Sequence, residues 1–116
     1  MLFARLDVIP LLSPSAAIAA LNAAETDYVV LFRHGTLEVG VYRPVKVDDQ
    51  KPHTRDELYV VLSGSGTFVS GAERRPFGPH DVLFVAAGVE HRFENFSDDF
   101  ATWVFFYGPH GGECPG

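Results

Sequence analysis

His53 and Glu57 stand four residues apart in the stretch QKPHTRDELYVVLSGSG, residues 50–66, at the head of an alternating apolar run that closes in a glycine turn. Imidazole nitrogen and carboxylate oxygen are donors from which proteins build divalent-metal sites. On a straight strand the two side chains would face the same way but lie roughly 13 Å apart, at about 3.3 Å of rise per residue. Metal–ligand bonds of about 2.0–2.2 Å require convergence, so the chain must turn between them. The polar trio Thr54-Arg55-Asp56 offers residues for that turn, and the apolar alternation starts only at Leu58. The expectation is His53 at the end of one strand and Glu57 at the start of the next.

A second segment, DVLFVAAGVEHRFEN, brings another strand to a tight Ala-Ala-Gly turn with His91 just beyond it. Strand parity puts His91, Phe93 and Asn95 on one face. Two neutral imidazoles and one carboxylate delivered by neighbouring strands form a facial set suited to one divalent ion of Zn, Fe, Mn or Ni, with positions left open for water or substrate. Tyr59 shares a face with Glu57 and Phe93 shares one with His91; with Tyr42, Trp103 and Phe105 they are expected to wall a pocket for a small, partly apolar molecule. His34, His80 and His110 fall in turns or the tail and read as solvent-facing. Arg74 and Arg75, beside Pro76 in an expected loop, and Arg92, out of phase with His91, read as surface charge.

These side chains need a sheet to carry them. In SPSAAIAALNAAET, Ser13 reads as an N-cap and Pro14 as the first helical residue of an alanine-rich helix ending near Ala24. Everything after it reads as strand. DYVVLFRHGTLEVGVYRP suggests two strands joined at His34-Gly35, and ELYVVL, SGTFVSG, DVLFVAA and FATWVFFYG supply more. Short strands of β-branched and aromatic residues between Gly-, Pro- and Asp-containing turns point to an all-β antiparallel sandwich or barrel with one short N-terminal helix.

At these residues the sequence resembles the cupin superfamily. That family's first motif carries a glutamate, six residues and a glycine, matched by Glu57 and Gly64, with His53 at the motif's second histidine. Its second motif is matched by Gly88, His91 and Asn95, with Ala86 in place of a proline and His80 where a glycine usually precedes Asp81. The resemblance spans about residues 36–107. It implies a cupin-like jelly roll, a single domain over 1–116 with its barrel core at about 26–108, and a metal inside one mouth. Lys51 stands where the first metal histidine would fall, and an ammonium has no lone pair to donate. Gln50 is the expected fourth donor through its amide oxygen, with Asp49 or water as alternatives.

With 116 residues, the chain suits one domain. A formal net charge of −6 with no basic cluster argues against nucleic acid and anionic membranes as partners. Apolar runs fall far short of the roughly 18 residues of a membrane span, no leader pattern is evident, and the single Cys114 fits a reducing compartment, so a cytoplasmic protein is expected. Residues 109–116 read as a flexible tail. The aromatic and β-branched content of TDYVVLF and TWVFFYG suggests a homodimer that covers sheet edges. The function expected is that of a metal-binding cupin, a dioxygenase- or isomerase-like enzyme acting on a small organic acid or enol. The competing expectation is a non-catalytic module that binds or senses a small ligand.

Overall fold

The structure, a computed structural model, describes residues 11–114. Helix α1 (Pro14–Ala23) precedes strands β1 (Tyr28–His34), β2 (Leu37–Tyr42), β3 (Asp56–Ser63), β4 (Gly66–Ser70), β5 (Glu73–Phe77), β6 (Val82–Val85), β7 (His91–Glu94) and β8 (Ala101–Tyr107). Ser13 caps α1 by accepting the Ala16 N–H on its Oγ at 3.1 Å, and Pro14 opens the first turn. No helix among the described residues is long and apolar enough to cross a membrane.

The strands form two antiparallel sheets, one ordered β1-β2-β8-β3-β6 and the other β5-β4-β7. Their inner faces pack on each other: Tyr42, Tyr59, Val61, Val85 and Val104 from the larger sheet meet Phe68, Phe77 and Phe93 from the smaller, with Phe100 between. The architecture is an all-β jelly roll with one short helix, as the alternation of apolar residues requires. α1 lies on the outer face of the larger sheet, where Ala17 and Leu21 cover Leu31 and Val41.

Register fixes which side chains point inward. Glu57 lies between Val85 and Phe106, and Tyr59 between Leu83 and Val104. The alternate rows face outward, and both are apolar: Phe32, Val39, Phe105, Leu58 and Phe84 in one, and Val29, Val41, Trp103, Val60 and Val82 in the other. A bulge between Val30 and Phe32 keeps Leu31 and Phe32 on that outer face together.

Three local expectations are corrected. The β1–β2 turn is Gly35-Thr36, one residue later than His34-Gly35, with Gly35 at φ +59°. Arg74 and Arg75 lie on β5 instead of a loop; β5 pairs only with β4, and an edge strand tolerates Pro76. The described part of the tail is tied down, because Gly111 N–H donates to the Thr54 carbonyl and Glu113 N–H to Asp56 Oδ2 at 2.8 Å.

Candidate metal centre

Glu57 is the second residue of β3 and His91 the first of β7, so the two sheets each bring one buried donor to the same end of the jelly roll. His53 lies in irregular chain before β3 and not at a strand end; a bend at Thr54-Arg55 turns the backbone, and Asp56 opens the strand. The Ala86-Ala87-Gly88 turn clamps this segment. Gly88 N–H donates to the His53 carbonyl at 2.7 Å, and Ala87 N–H donates to Asp56 Oδ1 at 2.9 Å. Gly88 makes this bond at φ +80°, a conformation that favours glycine. The N–H groups of Glu113 and Ala87 hold the Asp56 carboxyl below its ordinary range, against the opposing effect of burial.

Five donor atoms close a ring. Glu57 Oε1 is 3.1 Å from His91 Nε2 and 3.7 Å from His53 Nε2. His53 Nε2 is 3.1 Å from Gln50 Oε1, which is 3.2 Å from the Tyr59 hydroxyl, and that hydroxyl is 3.1 Å from His91 Nε2. The ligand atoms of His53, Glu57 and His91 all lie within 4.8 Å of one another. His91 Nδ1 sits 2.9 Å from the Val89 carbonyl, which selects the tautomer that donates there and leaves Nε2 as a bare lone pair.

A lone pair on His91 Nε2 facing the carboxylate oxygen of Glu57 is two acceptors face to face. Glu57 Oε1 is buried and makes no hydrogen bond of acceptable geometry. A cation between them resolves the clash, and two imidazoles, a carboxylate and an amide oxygen are a donor set for a divalent ion. Without an ion the proton answers instead. Burial works against a charge on His91, but the Glu57 carboxylate and the Val89 carbonyl outweigh it and hold His91 above the ordinary imidazole range. His53 moves the other way, lowered by burial despite the attraction of Glu57.

Gln50 faces the ring with its oxygen because its Nε2 donates to Asp48 Oδ2 at 2.7 Å. Asp48 is itself buried and also accepts from the Tyr42 hydroxyl at 2.7 Å and the Phe93 N–H at 2.8 Å. Sequence reasoning passed over Asp48. The Asp48-Asp49 pair precedes the first strand of the motif in irregular chain, where no periodicity says which carboxylate turns inward. Lys51 and Asp49 are both exposed.

A cavity of about 380 Å³ opens beside His53 and Glu57. Tyr28, Tyr42, Tyr59, Val104 and Phe106 line it. Phe93 is instead packed in the core at 1 % exposure. Trp103 and Phe105 point to the outer face, because the register that sets Phe106 beside Glu57 sends its neighbours the other way. Asn95 is exposed at φ +51°, where β7 has already ended, and does not join His91 and Phe93. His34, His80 and His110 are exposed; His80, at φ +72°, takes a left-handed conformation. Arg74 and Arg92 flank Glu94 on the surface of the smaller sheet.

The cupin domain family model matches residues 37–107. An uncharacterized protein of Streptomyces coelicolor is 36% identical over 84 residues, covering 71% of this chain and 80% of that protein. Among solved structures, a cupin superfamily protein from Desulfitobacterium hafniense aligns with a TM-score of 0.62 at 20% identity, over 90% of this chain and 98% of that one. KdgF from Halomonas sp. gives a TM-score of 0.61 at 17% identity, over 69% and 77%. The DMSP lyase DddQ from Ruegeria pomeroyi gives 0.55 at 26% identity, over 63% of this chain and 39% of that chain.

Proposed function

The chain belongs to the cupin family, and from that premise we propose that it is a small metal-dependent enzyme in which His53, Glu57, His91 and Gln50 hold one divalent ion. The carrying observation is the buried, unbonded Glu57 Oε1 set between two imidazole nitrogens. When bound, the ion would supply Lewis-acid polarisation and a template for a small molecule. The chain's residues do the rest. Val89 fixes the His91 tautomer, Asp48 fixes the Gln50 amide, and the Tyr59 hydroxyl lies within reach of both donors. The apolar wall of Tyr28, Val104 and Phe106 lets a small ligand displace water beside the donors.

The reaction class this supports is dioxygenase- or isomerase-like chemistry at the open side of the site, and the lyase named among the similar structures shows one activity that this fold carries in another protein. The deciding measurement is metal content of the purified protein beside His53→Ala and His91→Ala. One equivalent in the parent and a loss of most of it in each variant is expected; equal content in all three would overturn the ligand set. A ligand that raises the melting temperature of chelated protein as much as that of metal-loaded protein would favour a non-catalytic binding module instead.

We also propose that two copies meet through the outer face of the larger sheet. Val82 and Phe84 are 60 % and 54 % exposed at its β6 edge, at the end of the two apolar rows away from the helix. Monomeric soluble proteins rarely leave large contiguous apolar patches uncovered.

A further inference from the structure

Among the described residues, the charged side chains on the cavity wall are Asp27, Asp49 and Glu57, and neither lysine nor arginine lines it. The hydrogen-bond donors on the wall are equally one-sided. The Tyr28 hydroxyl is used on Glu38 at 2.8 Å and the Tyr42 hydroxyl on Asp48 at 2.7 Å. One Gln50 N–H is taken by Asp48, and the Tyr59 hydroxyl sits between Gln50 Oε1 and His91 Nε2. An anionic ligand would therefore find few free donors and two carboxylates at the mouth.

A divalent ion in the donor ring does not reverse this balance. Its two charges are matched by Glu57 and by the buried Asp48 behind Gln50, so Asp27 and Asp49 still set the sign at the entrance. The aromatic walls favour the same sign. The Tyr28 and Tyr42 rings, whose hydroxyls donate to carboxylates, are electron-rich, and the Phe106 ring holds the Arg55 guanidinium 5.7 Å from its centroid.

We propose that this cavity selects a small organic cation, a quaternary ammonium or protonated amine, whose charge lies against Tyr28, Tyr42 and Phe106 with Asp27 and Asp49 at the mouth. This rests on the cavity being the ligand site of the proposed function, and it replaces the organic acid expected from sequence. The ion changes the size of the charge but not its sign at the entrance, where Asp27 and Asp49 stand, so the preference holds with the metal bound or stripped.

Choline, the neutral alcohol in which carbon replaces its ammonium nitrogen, and the carboxylate of the same branched shape are suitable probes, titrated by calorimetry into Zn(II)-loaded and chelator-stripped protein. Choline should bind about tenfold tighter than its neutral isostere in both forms. The double variant D27N/D49N, at two exposed positions, should lose most of that margin while keeping the parent's Zn(II) affinity and melting temperature. Equal binding of choline and the isostere, tightest binding of the carboxylate, or a margin untouched in D27N/D49N would overturn the proposal. Failure of the parent to bind Zn(II), with the choline margin intact in the stripped protein, would instead count against the metal reading alone.

Discussion

A primary amide offers an acceptor at one end and N–H donors at the other, and at Gln50 the choice between them is made by Asp48. Removing the Asp48 carboxylate frees the amide to rotate, and a donor end turned toward an ion is repelled. Gln50→Ala should weaken Zn(II) binding by about tenfold in a competition titration against a chelator, as loss of a single supporting donor commonly does. Lys51→Ala should leave it unchanged, since Lys51 is exposed. Asp48→Ala should cost a similar factor in the parent and little more in the Gln50→Ala background. Additive losses in that double-mutant cycle would show that Asp48 acts on the fold and not through the amide. The types of His53, Glu57 and His91 and their two motif contexts made them legible in the sequence. Asp48 was not legible, because its inward turn is set by hydrogen bonds from the neighbouring Tyr42 and Gln50 and from the distant Phe93, instead of by a periodic pattern.

Elements set which side chains can meet. Gly40 on β2 faces the Tyr28 ring so closely that a Cβ there would lie 2.5 Å from it. Gly40→Ala should push that ring from its place, destabilise the protein by about 1–3 kcal/mol in chemical denaturation, and weaken ligand binding in the cavity. The start of β3 makes a different prediction. Asp56 has its folded-state pKa below the ordinary 3.8, so the stability its ionised form contributes is fully present above about pH 3.8 and is lost as pH falls through the lower folded value. Asp56→Asn should therefore lower the melting temperature near neutral pH and flatten its decline below about pH 4; an unchanged acid limb would count against this role. The helix and six of the eight strands could be read from caps, glycine turns and alternation. β5 could not, since ERRPF carries charges and a proline that an edge strand accepts and a sequence pattern rejects. The outward turn of Trp103 and Phe105 was hidden for a related reason: parity orders residues within a strand, but only the pairing of Phe106 with Glu57 says which parity faces the core.

At the scale of the whole molecule, the outer face of the larger sheet carries two apolar rows with the helix covering only part of them. Val82→Lys combined with Phe84→Lys should convert a dimer to a monomer in light scattering at micromolar concentration, while metal content stays that of the parent. A parent already monomeric at that concentration would rule the interface out. The Gly88-to-His53 hydrogen bond has a consequence for time as well as for shape. Glu57 and His91 belong to sheet strands, whereas Gln50 and His53 sit on a segment pinned at His53 by the Gly88 amide and followed by Asp56, which the Ala87 and Glu113 amides hold. An ion would then leave when that segment lifts, taking two donors with it, so its residence time would be governed by hydrogen bonds that never touch it. Exchange rate and equilibrium affinity would answer to different residues, and a chain weakened only at the clasp would hold its ion as tightly on average while trading it faster.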